Sequence, residues 1–394
     1  MDDTERFDRR TIVKGVGAAG LAGLAGCTGG PESGGSDTEE STPEAGDGGS
    51  DGSETESSGD GSVDVGMVYA TGGLGDGSFN DQAQAGIQQA ADEFGLSYDE
   101  SEPDSVSQFA TYQQQYAQST DPDYDLVSCI GSLQADALSE TAPDYPEQDF
   151  LAVDAVPMAD TDDDGEADSQ FDNVASYTFK EHEGSYLAGQ LAALLTSQSF
   201  SAGAGSTAGD STNVGFVGGI ELDLIRKFEA GFTAGVKSID SDVDVQTTYT
   251  GSFSDPSAGQ EAALSMYSSG ADIVYHAAGN TGTGVFRAAQ DEGRFAIGVD
   301  ADQSLTASSY ADVILASMVK RVDTAVYNAA EAVVNDDFET GTATTLGLAE
   351  EGVDLVYGDQ LGGDISEDVR SEIESSRQGI IDGDISVPQD PDEV

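Results

Sequence analysis

Val65-Gly-Met-Val-Tyr-Ala-Thr-Gly-Gly-Leu-Gly-Asp-Gly-Ser-Phe-Asn-Asp81 decides the fold class. An apolar run of strand length ends in a glycine-rich turn, and the turn opens an amphipathic, helix-length segment from Asp81 to Phe94. Strand, turn and helix in that order begin a βαβ unit of a parallel sheet. The alternation then repeats. Leu126 to Ile130, Phe150 to Val153, Val214 to Val217, Ile273 to Tyr275, Phe295 to Val299 and Val313 to Leu315 read as strands. Leu133 to Thr141, His182 to Ser197, Leu222 to Ser238, Gly259 to Ser269, Gly284 to Asp291 and Val322 to Asp336 read as helices. These repeats exceed one sheet and break near residue 180, so the expected fold is α/β, with two doubly wound parallel-sheet lobes around a cleft. Residues 63–178 with 301–325 are assigned to one lobe and 179–300 with 326–394 to the other. Hinge crossings are expected near Ser176 to Lys180, near Asp300 to Gln303 and after about Val334.

Composition narrows the function. The 394 residues carry 75 Asp and Glu against 14 Lys and Arg, a formal charge of −61. That charge repels polyanions, so nucleic acid and anionic bilayer surfaces are excluded as electrostatic partners. Carboxylates spread this evenly suit concentrated salt, where the Debye length shrinks to about 3 Å at 1 M, and a salt-loving source is expected. No D-x-D-x-D-G loop ending in Glu is present; Asp160 to Asp168 comes nearest and reads as a solvated loop, so neither metal nor cofactor is expected. With Cys27 and Cys129 alone there is no disulfide framework, and Cys129, inside the apolar run before Gly131, reads as a small buried hydrophobe.

The first 27 residues read as an address. Arg9-Arg10 leads a short apolar stretch ending Leu24-Ala25-Gly26-Cys27. A basic paired-arginine start, an apolar segment too short to span a bilayer and small residues at its end fit a twin-arginine signal peptide. The cysteine after Leu-Ala-Gly resembles a lipobox, which makes Cys27 the expected lipidation site. Residues 28–62 are an acidic, Gly/Ser-rich tether, too poor in apolar side chains to offset ordering entropy. The expected location is the extracellular face of the cell membrane, held by the lipid anchor alone.

Ligands of open α/β sheets sit beyond the carboxyl ends of the strands, so the loops there carry the candidate site. Phe79 and Asn80 place a flat apolar face beside an amide, and Ala277-Ala-Gly279-Asn-Thr-Gly282-Thr-Gly284 is a second glycine-rich turn that opens a helix. A phosphate cradle uses similar glycines, but no Gly-Lys-Ser/Thr ending follows and no G-x-G-x-x-G fingerprint fits with its acid. An enzyme needs a nucleophile and a base. His182, expected at the surface, and His276, expected toward the cleft, have no nearby cysteine and no G-x-S-x-G elbow, so catalysis is not expected.

Four segments taken in order resemble the basic membrane protein family of substrate-binding lipoproteins, which includes purine nucleoside receptors of ABC importers. They are Gly72-Gly-Leu-Gly-Asp-Gly-Ser-Phe-Asn80; Phe216-Val-Gly-Gly-Ile220 with Phe228-Glu-Ala-Gly-Phe232; Gly251-Ser-Phe-Ser-Asp-Pro256; and Ala277-Ala-Gly279 with Ile297-Gly-Val-Asp300-Ala-Asp-Gln303. The similarity spans about Val63 to Pro388. It implies a periplasmic-binding-protein type I fold and a monomer that closes on a small molecule, a nucleoside with purine preferred, and hands it to ABC permease and ATPase subunits. By the same resemblance Phe79 and Phe253 sandwich the base, Asn80 and Asp154 bond the ligand, Gly279 lets it approach the backbone, and Asp300 with Lys320 holds ribose hydroxyls. Many nucleoside-binding members carry Asp where this chain has Ala70, and the neighbouring Tyr69 is the candidate to compensate. A sugar or other polar metabolite in the same fold, or a surface receptor, is the alternative function.

Overall fold

The computed structural model describes residues 62–160, 168–209 and 211–394. The leader, Cys27 and the tether up to residue 61 lie outside them, as do residues 161–167 of the acidic loop. Apolar runs bounded by glycine-rich turns become strands because both faces of a parallel strand must be covered. In chain order the strands, edge strands included, are β1 (Asp64–Val68), β2 (Ser97–Ser101), β3 (Leu126–Ile130), β4 (Asp149–Val153), the two-residue β5 (Met158–Ala159) and β6 (Ser169–Gln170), and β7 (Val174–Phe179). The two-residue β8 (Ser201–Ala202) and β9 (Gly205–Ser206) follow, then β10 (Asn213–Gly218), β11 (Asp244–Tyr249), β12 (Ile273–Ala277), β13 (Phe295–Asp300), β14 (Ile314–Lys320), β15 (Thr342–Leu346) and β16 (Val353–Tyr357). The helices are α1 (Phe79–Phe94), α2 (Phe109–Ala117), α3 (Ala135–Thr141), α4 (Glu181–Thr196), α5 (Asp223–Ile239), α6 (Pro256–Ser268), α7 (Gly282–Glu292), α8 (Gln303–Thr306), α9 (Val322–Val334) and α10 (Glu367–Ile381).

Two six-stranded sheets result, in the orders β2-β1-β3-β4-β7-β15 and β11-β10-β12-β13-β14-β16. Read this way they repeat one topology. All neighbours are parallel except β16, which runs antiparallel to β14. Each sheet with its helices is one lobe, and the carboxyl ends of both sets of central strands reach one cleft. The two α/β lobes expected from the sequence are therefore present.

The lobe boundaries need correction. Residues 301–325 were expected in the first lobe, yet β14 pairs with β13 and β16 in the second sheet. Residues 326–394 were expected in the second lobe, yet β15 pairs with β7 in the first, and α9 packs on α1. The chain crosses at Lys180 before α4, at Arg321 before α9, and between β15 and β16. No crossing lies at Asp300 to Gln303. The reason is local: the apolar run Val313 to Leu315 continues as a strand through Ser317 and Lys320, whose polar groups find partners inside the protein.

The helix α4 binds the second lobe into a unit. Fourteen of its residues are buried, and it packs against α5 backbone to backbone. A Cβ at Gly235 would lie 2.0 Å from the Tyr186 carbonyl oxygen, and one at Gly189 would lie 2.1 Å from that of Phe232. His182, expected at the surface, sits on this helix at 6% exposure. His276, expected toward the cleft, is instead fully enclosed on β12 against Phe286. Burial holds both imidazoles down to about 4, so neither is charged near neutrality. Cys129 is buried on β3 as expected, and burial pushes its thiol up.

Because the α4–α5 contact has no room for a methyl group, Gly235→Ala is expected to cost about 1–3 kcal/mol of stability. Equilibrium denaturation in molar salt reads this directly; an unchanged midpoint would show that the helices separate freely.

Candidate functional site

The loop between β1 and α1 is locked by its own side chains. Buried Asp76 accepts the backbone N–H groups of Ser78 at 2.9 Å and Asn80 at 3.0 Å, satisfying donors that the start of α1 leaves free. The Asn80 amide accepts from Ala70 N–H at 2.9 Å and donates to the Gly73 carbonyl at 3.1 Å. Both ends of its amide are thus engaged by the loop, which sets the position of Phe79, while Asn80 also borders the cavity. Tyr69 does not replace the acid missing at Ala70: it points away from the cavity and donates to Glu100 at 2.6 Å.

On the facing lobe Phe253 precedes α6, with its ring laid against Gly219, where a Cβ would come within 2.3 Å of it. Gly279 adopts φ +54° beside Phe253, a conformation that favours glycine, and a Cβ there would lie 3.2 Å from the Phe253 carbonyl oxygen. It therefore seats the aromatic loop as well as bordering the cavity.

The floor of the cavity is a buried ion cluster. Lys320, at the end of β14, places Nζ 2.6 Å from Oδ2 of Asp154 across the cleft and 3.1 Å from Oε1 of Glu181, the first residue of α4. Three rings surround the ammonium, with centroids 5.3 Å away at Phe79, 5.0 Å at Phe179 and 5.6 Å at Phe228. Burial lowers the pKa of the Lys320 ammonium, but Asp154, Glu181 and Asp300 outweigh it and leave the group raised and charged. Burial also raises Glu181, with Lys320 opposing. Asp154 Oδ1 is buried without a hydrogen-bond partner among the described residues.

Asp154 and Asp300 sit at matching places, beyond β4 and at the end of β13, and both adopt left-handed φ, 64° and 65°. Such a backbone costs about 1–3 kcal/mol for a residue with a side chain and persists where the surroundings impose it. Asp300 accepts Ser78 Oγ from the other lobe at 2.5 Å. Thr306 Oγ1 donates to the Gly77 carbonyl at 2.7 Å, so this second inter-lobe contact latches the cleft rim.

Phe79, Asn80, Asp154, Phe253, Gly279, Asp300 and Lys320, drawn from distant parts of the sequence, all border this one cavity. Asp76 and Phe228 border it too, and Glu181 supports it from behind. Sequence reasoning did not single these three out. Asp76 and Phe228 were inside the quoted motifs and carried that signal; Glu181 carried none, since an acid opening a helix is ordinary.

The fold and this cleft define a two-lobed solute-binding protein. Residues 63–391 match the family described as ABC transporter substrate-binding protein PnrA-like. The chain is 38% identical over 83% of its length to the CD4+ T-cell-stimulating antigen of Listeria monocytogenes, covering 88% of that protein. It is 33% identical over 82% of its length to the ABC transporter nucleoside-binding protein BmpA of Lactococcus lactis, again covering 88%. An ABC transporter solute-binding protein from Aeropyrum pernix superposes with a TM-score of 0.71 at 30% identity, over 84% of this chain and 95% of that one. The chain belongs to the PnrA-like family and is the substrate-binding component of an ABC transporter, a role that requires no catalysis.

Two outcomes follow from the cluster. Lys320→Met leaves buried Asp154 and Glu181 without a cation and is expected to cost about 3–5 kcal/mol, read by denaturation. Asp300 behaves differently: burial pushes its carboxyl up to about 7 from the ordinary 3.8, with Lys320 and Ser78 opposing. Its contribution to stability is full below the unfolded value and is lost as pH rises through about 7. Asp300→Asn should remove that part of the pH dependence; an unchanged profile would contradict it.

Proposed function

We propose that this protein captures a nucleoside, purine preferred, by closing its two lobes on it and presents the closed form to the permease of an ABC importer. The observation that carries the reading is the pairing of Phe79 and Phe253, from opposite lobes, at one cavity floored by Asp154, Asp300 and Lys320. A planar base between two rings gains stacking and buried area, while sugar hydroxyls donate to carboxylates and accept from an ammonium. The unpartnered Asp154 Oδ1 suits such a donor. Asp76, Asp154, Asp300 and Glu181 outnumber the single ammonium of Lys320, which favours an uncharged ligand over a phosphorylated one. The relative named as nucleoside-binding supports the same assignment.

Export by the paired arginines, lipidation at Cys27 and life as a monomer on the outer face of the membrane complete the proposal. Among the described residues no helix is long and apolar enough to cross a membrane. The acidic surface suits concentrated salt.

Calorimetric titration of the full chain in molar salt with nucleosides, free bases, ribose and nucleoside monophosphates tests the reading. Nucleosides should bind and monophosphates should bind far more weakly. Phe79→Ala and Phe253→Ala should each lose about 1–3 kcal/mol of nucleoside affinity, the worth of one stacked ring. Ribose binding without nucleoside binding would transfer the site to sugars.

A further inference from the structure

A second cavity, of about 630 Å³, opens where the hinge crossings meet the C-terminal segment. Its size lies within the range of small-molecule pockets. Its walls come from both lobes: Thr178 and Thr345 at the ends of β7 and β15, and Lys227 on α5. Lys180 just before α4, His182 and Glu183 in its first turn, and Ser386 and Gln389 of the C-terminal segment complete its polar lining.

The charge of this lining departs from the rest of the molecule. In a chain with 75 acidic and 14 basic side chains, cations are expected to find carboxylates, and Lys180 does, 3.4 Å from Glu183. Glu183 is occupied further, accepting the Leu348 N–H at 2.9 Å. The half-buried Lys227 ammonium, by contrast, takes part in no hydrogen bond and no ion pair among the described residues. His182 is 94% enclosed and its Nδ1 has no hydrogen-bond partner. After its burial, the fields of Lys227 and Lys180 hold this imidazole down, so both ammonium groups act on the same spot. An unpaired cation and a cation bound to one carboxylate are the donors an anion requires, and the neutral imidazole beside them adds no negative charge.

We propose that the hinge cavity is a binding site for a small oxyanion, held by Lys227 and Lys180 with His182 at its wall. The site is separate from the cleft and does not depend on what the cleft binds. Because its walls belong to both lobes, an anion there bridges the segments about which the lobes turn.

Inorganic phosphate, sulfate and acetate, each titrated into the full chain at constant ionic strength, test this through the ring resonances of His182. Phosphate should shift them saturably, and Lys227→Gln should weaken the apparent affinity at least about tenfold, as loss of a charge-assisted contact does. Lys227 makes no hydrogen bond or ion pair among the described residues, so Lys227→Gln should fold, losing only the field of Lys227 on buried Glu181. Lys227→Arg, which keeps the charge, should melt like the parent in phosphate-free solution and restore binding. An equal response to acetate also supports the site and places carboxylates among its ligands. Absence of a saturable shift, or the same shift in Lys227→Gln, would overturn it.

Discussion

The ammonium of Lys320 is removed from water between the lobes, and desolvation on that scale costs several kcal/mol unless charge returns at short range. Asp154 returns it from the first lobe and Glu181 from the start of α4, with three aromatic rings closing the remaining sides. Lys320 ends β14 just before one hinge crossing, and Glu181 follows another. One ion cluster therefore fixes the cleft floor, joins the lobes and marks the hinge. The surrounding carboxylates keep Lys320 charged, while burial, helped by Asp76 and Asp154 and opposed by Lys320 and Ser78, raises Asp300 toward neutrality.

The repeated topology explains how distant residues converge. Equivalent central strands of both sheets end at the cleft, and the left-handed Asp154 and Asp300 turn their carboxylates into it from corresponding positions. The aromatic residues do not obey that symmetry. Phe79 follows β1 and Phe253 follows β11, so the rings approach from different loop sets. Under the proposed nucleoside reading, the carboxylates would hold the sugar while each lobe contributes one ring to the base.

Much of this was legible in the sequence because buried parallel strands are continuous apolar runs, as in Leu126 to Ile130 and Phe295 to Val299. The edge strands were not, since Ser97–Ser101 and Thr342–Leu346 cover few apolar atoms and lack that signal. The expected crossing at Asp300 to Gln303 lies one strand too early: β14 stays in the second sheet, Lys320 finds its partner across the cleft from inside that strand, and the chain crosses only at Arg321. The site residues came from motif resemblance and not from periodicity. That route identified which positions share a cavity but missed the internal use of Asn80 and the cation-holding role of Glu181, both of which depend on three-dimensional partners.

The central claim is that the two lobes close on a planar base above a carboxylate and lysine floor. A crystal structure of the full chain grown with a purine nucleoside tests it most directly. The account predicts the base between Phe79 and Phe253, with ribose hydroxyls on Asp154, Asp300 and Lys320. A nucleoside found outside the cleft, or a base lying away from both rings, would contradict it.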